Sequence, residues 1–171
     1  MAYGQYLAAV PTERLHNFRT AIAHLRQEEA EEILKTTWLE VDKIVLTTHY
    51  FASAGTPDPA LTKIIVELFD YGEPLDEWYW HPSIPPKFHQ PEKVQQLFGA
   101  LRARWVVLMK QIPEDEIPLW ETDFAPIFEI LDYAVQNQSA LFTFLEKPLD
   151  EERAEKVFYP VDPAILGTCP K

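Results

Sequence analysis

LEVDKIVLTTHYFASAG, residues Leu39 to Gly55, is the most apolar run away from the termini, yet it carries a carboxylate, an ammonium and an imidazole. Ile44, Val45, Thr47 and Thr48 are β-branched and suit a strand. Val41, Ile44, Val45, Thr48 and Ala52 also fall on one helical face, and Asp42 near the front favours a helix start. From the residues alone, strand and helix are evenly balanced, and the choice decides how the chain before and after must pack.

Outward from that run the signals are plainer. Ala2 to Val10 reads as a short strand with no charge on either face, which suggests burial on both sides. Pro11 and Glu13 suit a helix start, and Leu15, Phe18, Ile22 and Leu25 recur at helical steps, so one amphipathic helix is expected over residues 12–29. The acidic cluster Glu28, Glu29, Glu31 and Glu32 is expected to end or follow it as a solvated face. After the turn at Gly55, Asp58 is placed as N-cap and Pro59 as the first helical residue. Leu61, Ile64, Ile65, Leu68 and Phe69 form that helix's apolar face, and Gly72 and Pro74 stop it.

Residues 70–91 contain too much proline for long regular structure. Pro91 restarts a helix, with Gln90 a weak cap, and Val94, Leu97, Phe98, Leu101, Trp105, Leu108 and Ile112 make the longest apolar stripe in the chain. Gly99 inside it suggests close helix packing. Glu114 to Glu121 reads as an acidic connector anchored by Trp120. Thr122 or Asp123 is expected to cap the next helix, which buries Phe124, Ile127, Phe128, Leu131 and Val135 and holds Pro126 in its first turn. Ser139 to Glu146 reads as a buried strand. Residues 1–147 thus form one domain; 148–171 is an extension, with a short helix expected over Asp150–Tyr159 and an irregular tail.

In 171 residues, 47% hydrophobic and 25% charged, there is room for one sizeable core. The net charge of −12 argues against non-specific nucleic-acid binding, which needs clustered Lys and Arg, and against an anionic membrane surface. It would steer in a basic protein partner. The single cysteine, Cys169, excludes an intrachain disulfide and a cysteine-based zinc site. With no basic n-region at the start and no span-length apolar run, the cytoplasm is the expected compartment.

The order of motifs resembles the YfbM-like family of bacterial proteins, a domain of unknown function. Gly4-Gln5-Tyr6-Leu7 followed by Pro11 and Glu13 is similar to that family's first strand and helix. Leu39-Glu40-Val41-Asp42-Lys43, five residues, then His49-Tyr50 is similar to its most specific signature, which also runs on to a glycine, here Gly55. Val45 and Ala52-Ser53-Ala54 depart from the usual pattern. Gln90-Pro91-Glu92-Lys93-Val94, Trp120 and Ala140 to Phe144 fit as well, so the likeness extends to about Glu146. The resemblance implies an α+β fold: a single domain of about five helices packed on a small sheet that includes the N-terminal strand and the strand near 139–146. It tips residues 41–53 toward helix, and it implies no activity.

Two constellations could carry chemistry. On a helix, Asp42 and His49 lie seven residues apart on a similar face, with Lys43 beside them, so a carboxylate could orient an imidazole. Buried groups of this kind must be paired whether or not they react, and structural pairing is the simpler expectation. Trp78, Tyr79, Trp80 and His81 sit in the proline-rich segment. The rings could line a pocket or a protein-binding surface, or pin the segment to the core. His81 and His89 with Asp76 and Glu77 match no metal motif, so no metal or other cofactor is expected. No nucleophile elbow or phosphate loop is present. The expectation is a non-enzymatic protein-binding module, regulatory or toxin-neutralising, that engages a basic partner through its acidic surface and the loop of residues 70–90. The alternative is an enzyme or small-ligand binder with a pocket near Asp42, His49 and Trp78 to Trp80.

Overall fold

A computed structural model describes residues 5–24, 27–34, 38–41, 58–74 and 87–144 of the chain. Strand β1 (Gln5–Pro11) leads through a 3-10 turn (Thr12–Arg14) into helices α1 (Leu15–Ala23) and α2 (Gln27–Leu34), then strand β2 (Trp38–Val41). Helix α3 (Pro59–Asp70) is followed by strands β3 (Glu73–Pro74) and β4 (Lys87–His89). Helices α4 (Pro91–Leu108) and α5 (Ile117–Gln136) form a hairpin that returns to strand β5 (Ser139–Phe144). The strands make one antiparallel sheet in the order β2-β1-β5-β4-β3. The architecture is α+β, a single domain of helices on a small sheet.

Period-2 alternation sorts the sheet into two buried faces. Leu7 and Ala9 of β1 and Leu141 of β5 pack with α3, α4 and α5 in the larger core. Ala8, Val10, Ala140, Phe142 and Phe88 pack with Phe18 and Ala21 of α1 and Ala30 of α2 on the other face. Leu7 to Val10 are all fully buried, as a chargeless strand requires. Phe142 anchors the smaller core: Phe18 meets it edge-on at 4.8 Å and Phe88 stacks on it at 5.1 Å.

The opening stretch begins as strand. Trp38 to Val41 pair with Ala8 to Gln5 in antiparallel register, so the helix expected over residues 41–53 is wrong at Val41. A local tie between helix and strand was broken by a distant partner, the otherwise open edge of β1. The remainder, Asp42 to Gly55, lies outside the described residues, as do 75–86 and the extension from 148.

Three further expectations need correction. Residues 12–29 are not one helix. Continuing the Leu15, Phe18, Ile22, Leu25 stripe would carry Glu29 onto the buried face; α1 instead ends at Ala23, and α2 turns Ala30 and Ile33 inward and leaves Glu28, Glu29 and Glu32 exposed. Helix α5 starts at Ile117, not near Thr122, with Pro118 in its first turn; Pro126 therefore falls in its interior. The earlier start buries Trp120, which stacks on Phe124 at 6.0 Å. Gly99 does not mediate close packing, because a Cβ there would meet nothing within 4 Å. Gly99→Ala is thus expected to stabilise the protein by about 1 kcal/mol by helix propensity alone, seen as a raised urea midpoint with unchanged slope.

The cap of α3 is as the residues suggest. Asp58 accepts from the Leu61 N–H at 3.0 Å, with Pro59 in the first turn of α3. Gln90 makes no side-chain cap hydrogen bond. Gly72 ends α3 at φ +147°, where a Cβ would stand 3.0 Å from the Phe88 carbonyl oxygen, so only glycine lets the chain turn this tightly against β4. No helix among the described residues is long and apolar enough to cross a membrane.

Candidate functional site

Asp42, Lys43, His49, Trp78, Tyr79, Trp80 and His81 all lie outside the described residues. The sheet nevertheless fixes where their flanks are anchored. Asp42 follows β2, at one edge of the sheet. Pro74 and Lys87, which bracket residues 75–86, are register partners at the other edge. Between β2 and β4 lie β1 and β5, so those two strands stand roughly 14 Å apart at ordinary strand spacing.

Among the described residues, polar side chains converge at the end of α3. An α-helix leaves its last four carbonyls without intrahelical donors. Alternation along β4 aims Lys87 and His89 at the face of the sheet covered by α3, α4 and α5, and Phe88 at the face covered by α1 and α2. The Lys87 ammonium donates to the Asp70 carbonyl. His89 is buried, with its Nε2 3.0 Å from the Leu68 carbonyl oxygen, which sets the tautomer as the Nε2–H donor. Lys93, in the first turn of α4, pairs with Glu67 one residue before Leu68. Two ammonium groups and an imidazole therefore clasp the negative end of α3, the charge arrangement its dipole favours.

Burial, the largest influence, pushes the His89 imidazole below its ordinary value; the Lys93 charge acts the same way, while the Leu68 hydrogen bond and Glu67 oppose them. The hydrogen bond from Lys93 holds the Glu67 carboxyl below the usual carboxylate range, against a smaller penalty from burial. His89 is the one histidine of the second constellation that can be placed, and it serves a helix end. Among the described residues, no group of three or more His, Cys, Asp or Glu side chains is arranged to hold a metal ion.

At the opposite end of α3 the sequence marks the cap but not its second partner. Asp58 is 3% exposed and accepts from Arg104 of α4, whose Nε lies 2.6 Å from Oδ2. Burial raises the Asp58 carboxyl, but the hydrogen bonds from Arg104 and Leu61 outweigh it and the net shift is downward. Arg104 follows Leu101 by three positions on the margin of the α4 stripe; that edge placement was the only available sign that it would meet a buried acid.

A cleft of about 460 Å³ opens where the start of α4 meets the end of α5 and the 3-10 turn, bordered by Gln90, Gln95, Gln138, Thr12 and Glu92 over Ala134 and Val135. Gln138 holds a left-handed backbone at φ 47° just past α5, and its carbonyl accepts the Thr12 hydroxyl at 2.5 Å. The amide side chains can both donate and accept there. At the other end of the same hairpin, Leu119 is 56% exposed within a stretch carrying Glu114, Asp115, Glu116, Glu121 and Asp123 and no Lys or Arg. Sequence reading took that stretch as a connector and missed its exposed leucine. No family model, curated protein or solved structure matches the chain.

Proposed function

We propose that the chain is a non-enzymatic, cytoplasmic protein-binding module, related to the YfbM-like proteins, that docks a basic protein partner on the turn joining α4 to α5. A regulatory or toxin-neutralising role is the concrete form of this reading. The observation that carries it is the exposed Leu119 within a stretch of sequence that carries five carboxylates, Glu114, Asp115, Glu116, Glu121 and Asp123. An apolar contact point inside a charged rim is the usual anatomy of a protein-binding patch. The carboxylates would steer a cationic partner inward and set its orientation, and Leu119 would supply the desolvated centre. The net charge of −12 extends that field over the whole molecule.

The test is affinity capture from native lysate with the wild type, a Glu114→Lys/Asp115→Lys/Glu116→Lys variant and Leu119→Ser. The wild type should retain a basic protein at low salt and release it as the Debye length shortens. The charge reversal should weaken retention by at least about tenfold, with Leu119→Ser intermediate and both variants folded by circular dichroism. Retention of the same proteins by all three chains would refute the reading.

A further inference from the structure

The clasp at the end of α3 contains one group whose charge can change near neutrality. Glu67, held below the usual carboxylate range by the hydrogen bond from Lys93, stays anionic there. His89 is 4% exposed on the face of the sheet covered by α3, α4 and α5, beside neutral Leu141 of β5 in the register. Charged groups act on it from two described helices, Glu67 from α3 and Lys93 from α4, while Lys87 on its own strand is engaged by the Asp70 carbonyl. Protonation would not break the Nε2–H bond to the Leu68 carbonyl. It would place a second N–H and a full charge in a buried site already facing the Lys93 ammonium.

We propose that His89 is an acid-operated latch, whose protonation releases the last turn of α3 and strand β3 from β4. The release falls on that side because β4 is held more firmly on its other face. Phe88 stacks on Phe142 at 5.1 Å and lies under the Arg19 guanidinium at 5.0 Å. Strand β3, by contrast, is two exposed residues at the sheet edge, joined to α3 through Tyr71 and Gly72. Small edge units of this kind open locally before the domain unfolds. With β3 withdrawn, Lys87 to His89 become the edge of the sheet.

The sign follows from linkage. The folded-state value of His89 lies below the ordinary 6.5 of the unfolded chain, so the latch is fully closed above that pH. Closure is lost as pH falls through the folded value. The experiment is amide hydrogen exchange on the full chain, followed over residues 66–74 and corrected for intrinsic rates. Between about pH 7.5 and pH 5.5, protection there should fall several-fold, up to about tenfold, while β1 and β5 stay protected. His89→Gln keeps a donor for the Leu68 carbonyl and cannot titrate, so its profile should be flat. Lys93→Gln removes the facing ammonium, so the folded imidazole is depressed less and the drop in protection between these pH values should be smaller. An equal pH response in wild type and His89→Gln would overturn the proposal. If His89→Gln does not fold, an unchanged response in Lys93→Gln, or a His89 ring resonance that titrates without any change at residues 66–74, would overturn it as well.

Discussion

Asp58→Ala should lower unfolding free energy by about 3 kcal/mol, combining a lost helix cap with a buried ion pair deprived of its acid. The carboxylate does two jobs at once. One oxygen accepts the Leu61 N–H and the other accepts from Arg104, tying the start of α3 to the middle of α4. Arg104 is 29% exposed, so its guanidinium recovers some hydration once the partner is gone, which keeps the loss below that of a fully buried pair. Asp58→Asn retains the capping oxygen without the charge and should lose less. In urea titrations, a double-mutant cycle with Arg104→Ala should return a coupling of about 1–3 kcal/mol. Because the folded Asp58 carboxyl lies below its ordinary 3.8, its stabilisation is complete above that pH and fades as pH falls through the folded value. The deficit of Asp58→Ala should therefore shrink in acid. A constant deficit down to low pH would mean that the charge contributes nothing.

Trp105→Ala should be the more damaging change, at about 3–5 kcal/mol. Trp105 is fully buried at the middle of the larger core, with Phe124 at 4.9 Å and Phe128 at 5.4 Å. Truncation empties a site walled by two other rings, and rigid helices on both sides limit collapse. Trp105→Phe should be far milder, at about 1 kcal/mol, because the indole N–H has no acceptor among the described residues and its removal relieves a buried unpaired donor while opening a smaller void. Chemical denaturation of both variants separates the two contributions. Equal losses would show that the N–H, not the ring volume, governs the site.

Where the sequence was legible, one side of an element was decided by its own residues. The α4 stripe from Val94 to Ile112 is buried as its spacing demands, and so are the cap of α3 and the chargeless β1. Legibility ended where two distant segments had to meet. Nothing local in Trp38 to Val41 announces that the edge of β1 awaits it, and nothing in Lys87-Phe88-His89 distinguishes a three-residue strand from proline-rich coil. Helix α5 extends five residues ahead of its expected cap because burying Trp120 outweighs the discouragement of two prolines. The clasp at α3 was invisible for the same reason: His89, Lys87 and Lys93 acquire meaning only when β4 is laid beside the helix end. Charge density, by contrast, was readable from composition, and only the exposure of Leu119 was needed to locate it on the surface.

The place of β5 in the sheet governs the order in which the molecule can be assembled. It fills the slot between β1 and β4, and it is the last described strand in the chain. Partners such as Val10 and Ala140 close a loop that spans nearly the whole domain, so the central ladder forms only after that closure entropy has been met. On the ribosome, β1 must wait, paired at most with β2, until residues 139–144 have been made. The helical hairpin of α4 and α5, built from local contacts, can form in the meantime and deliver β5 to its slot.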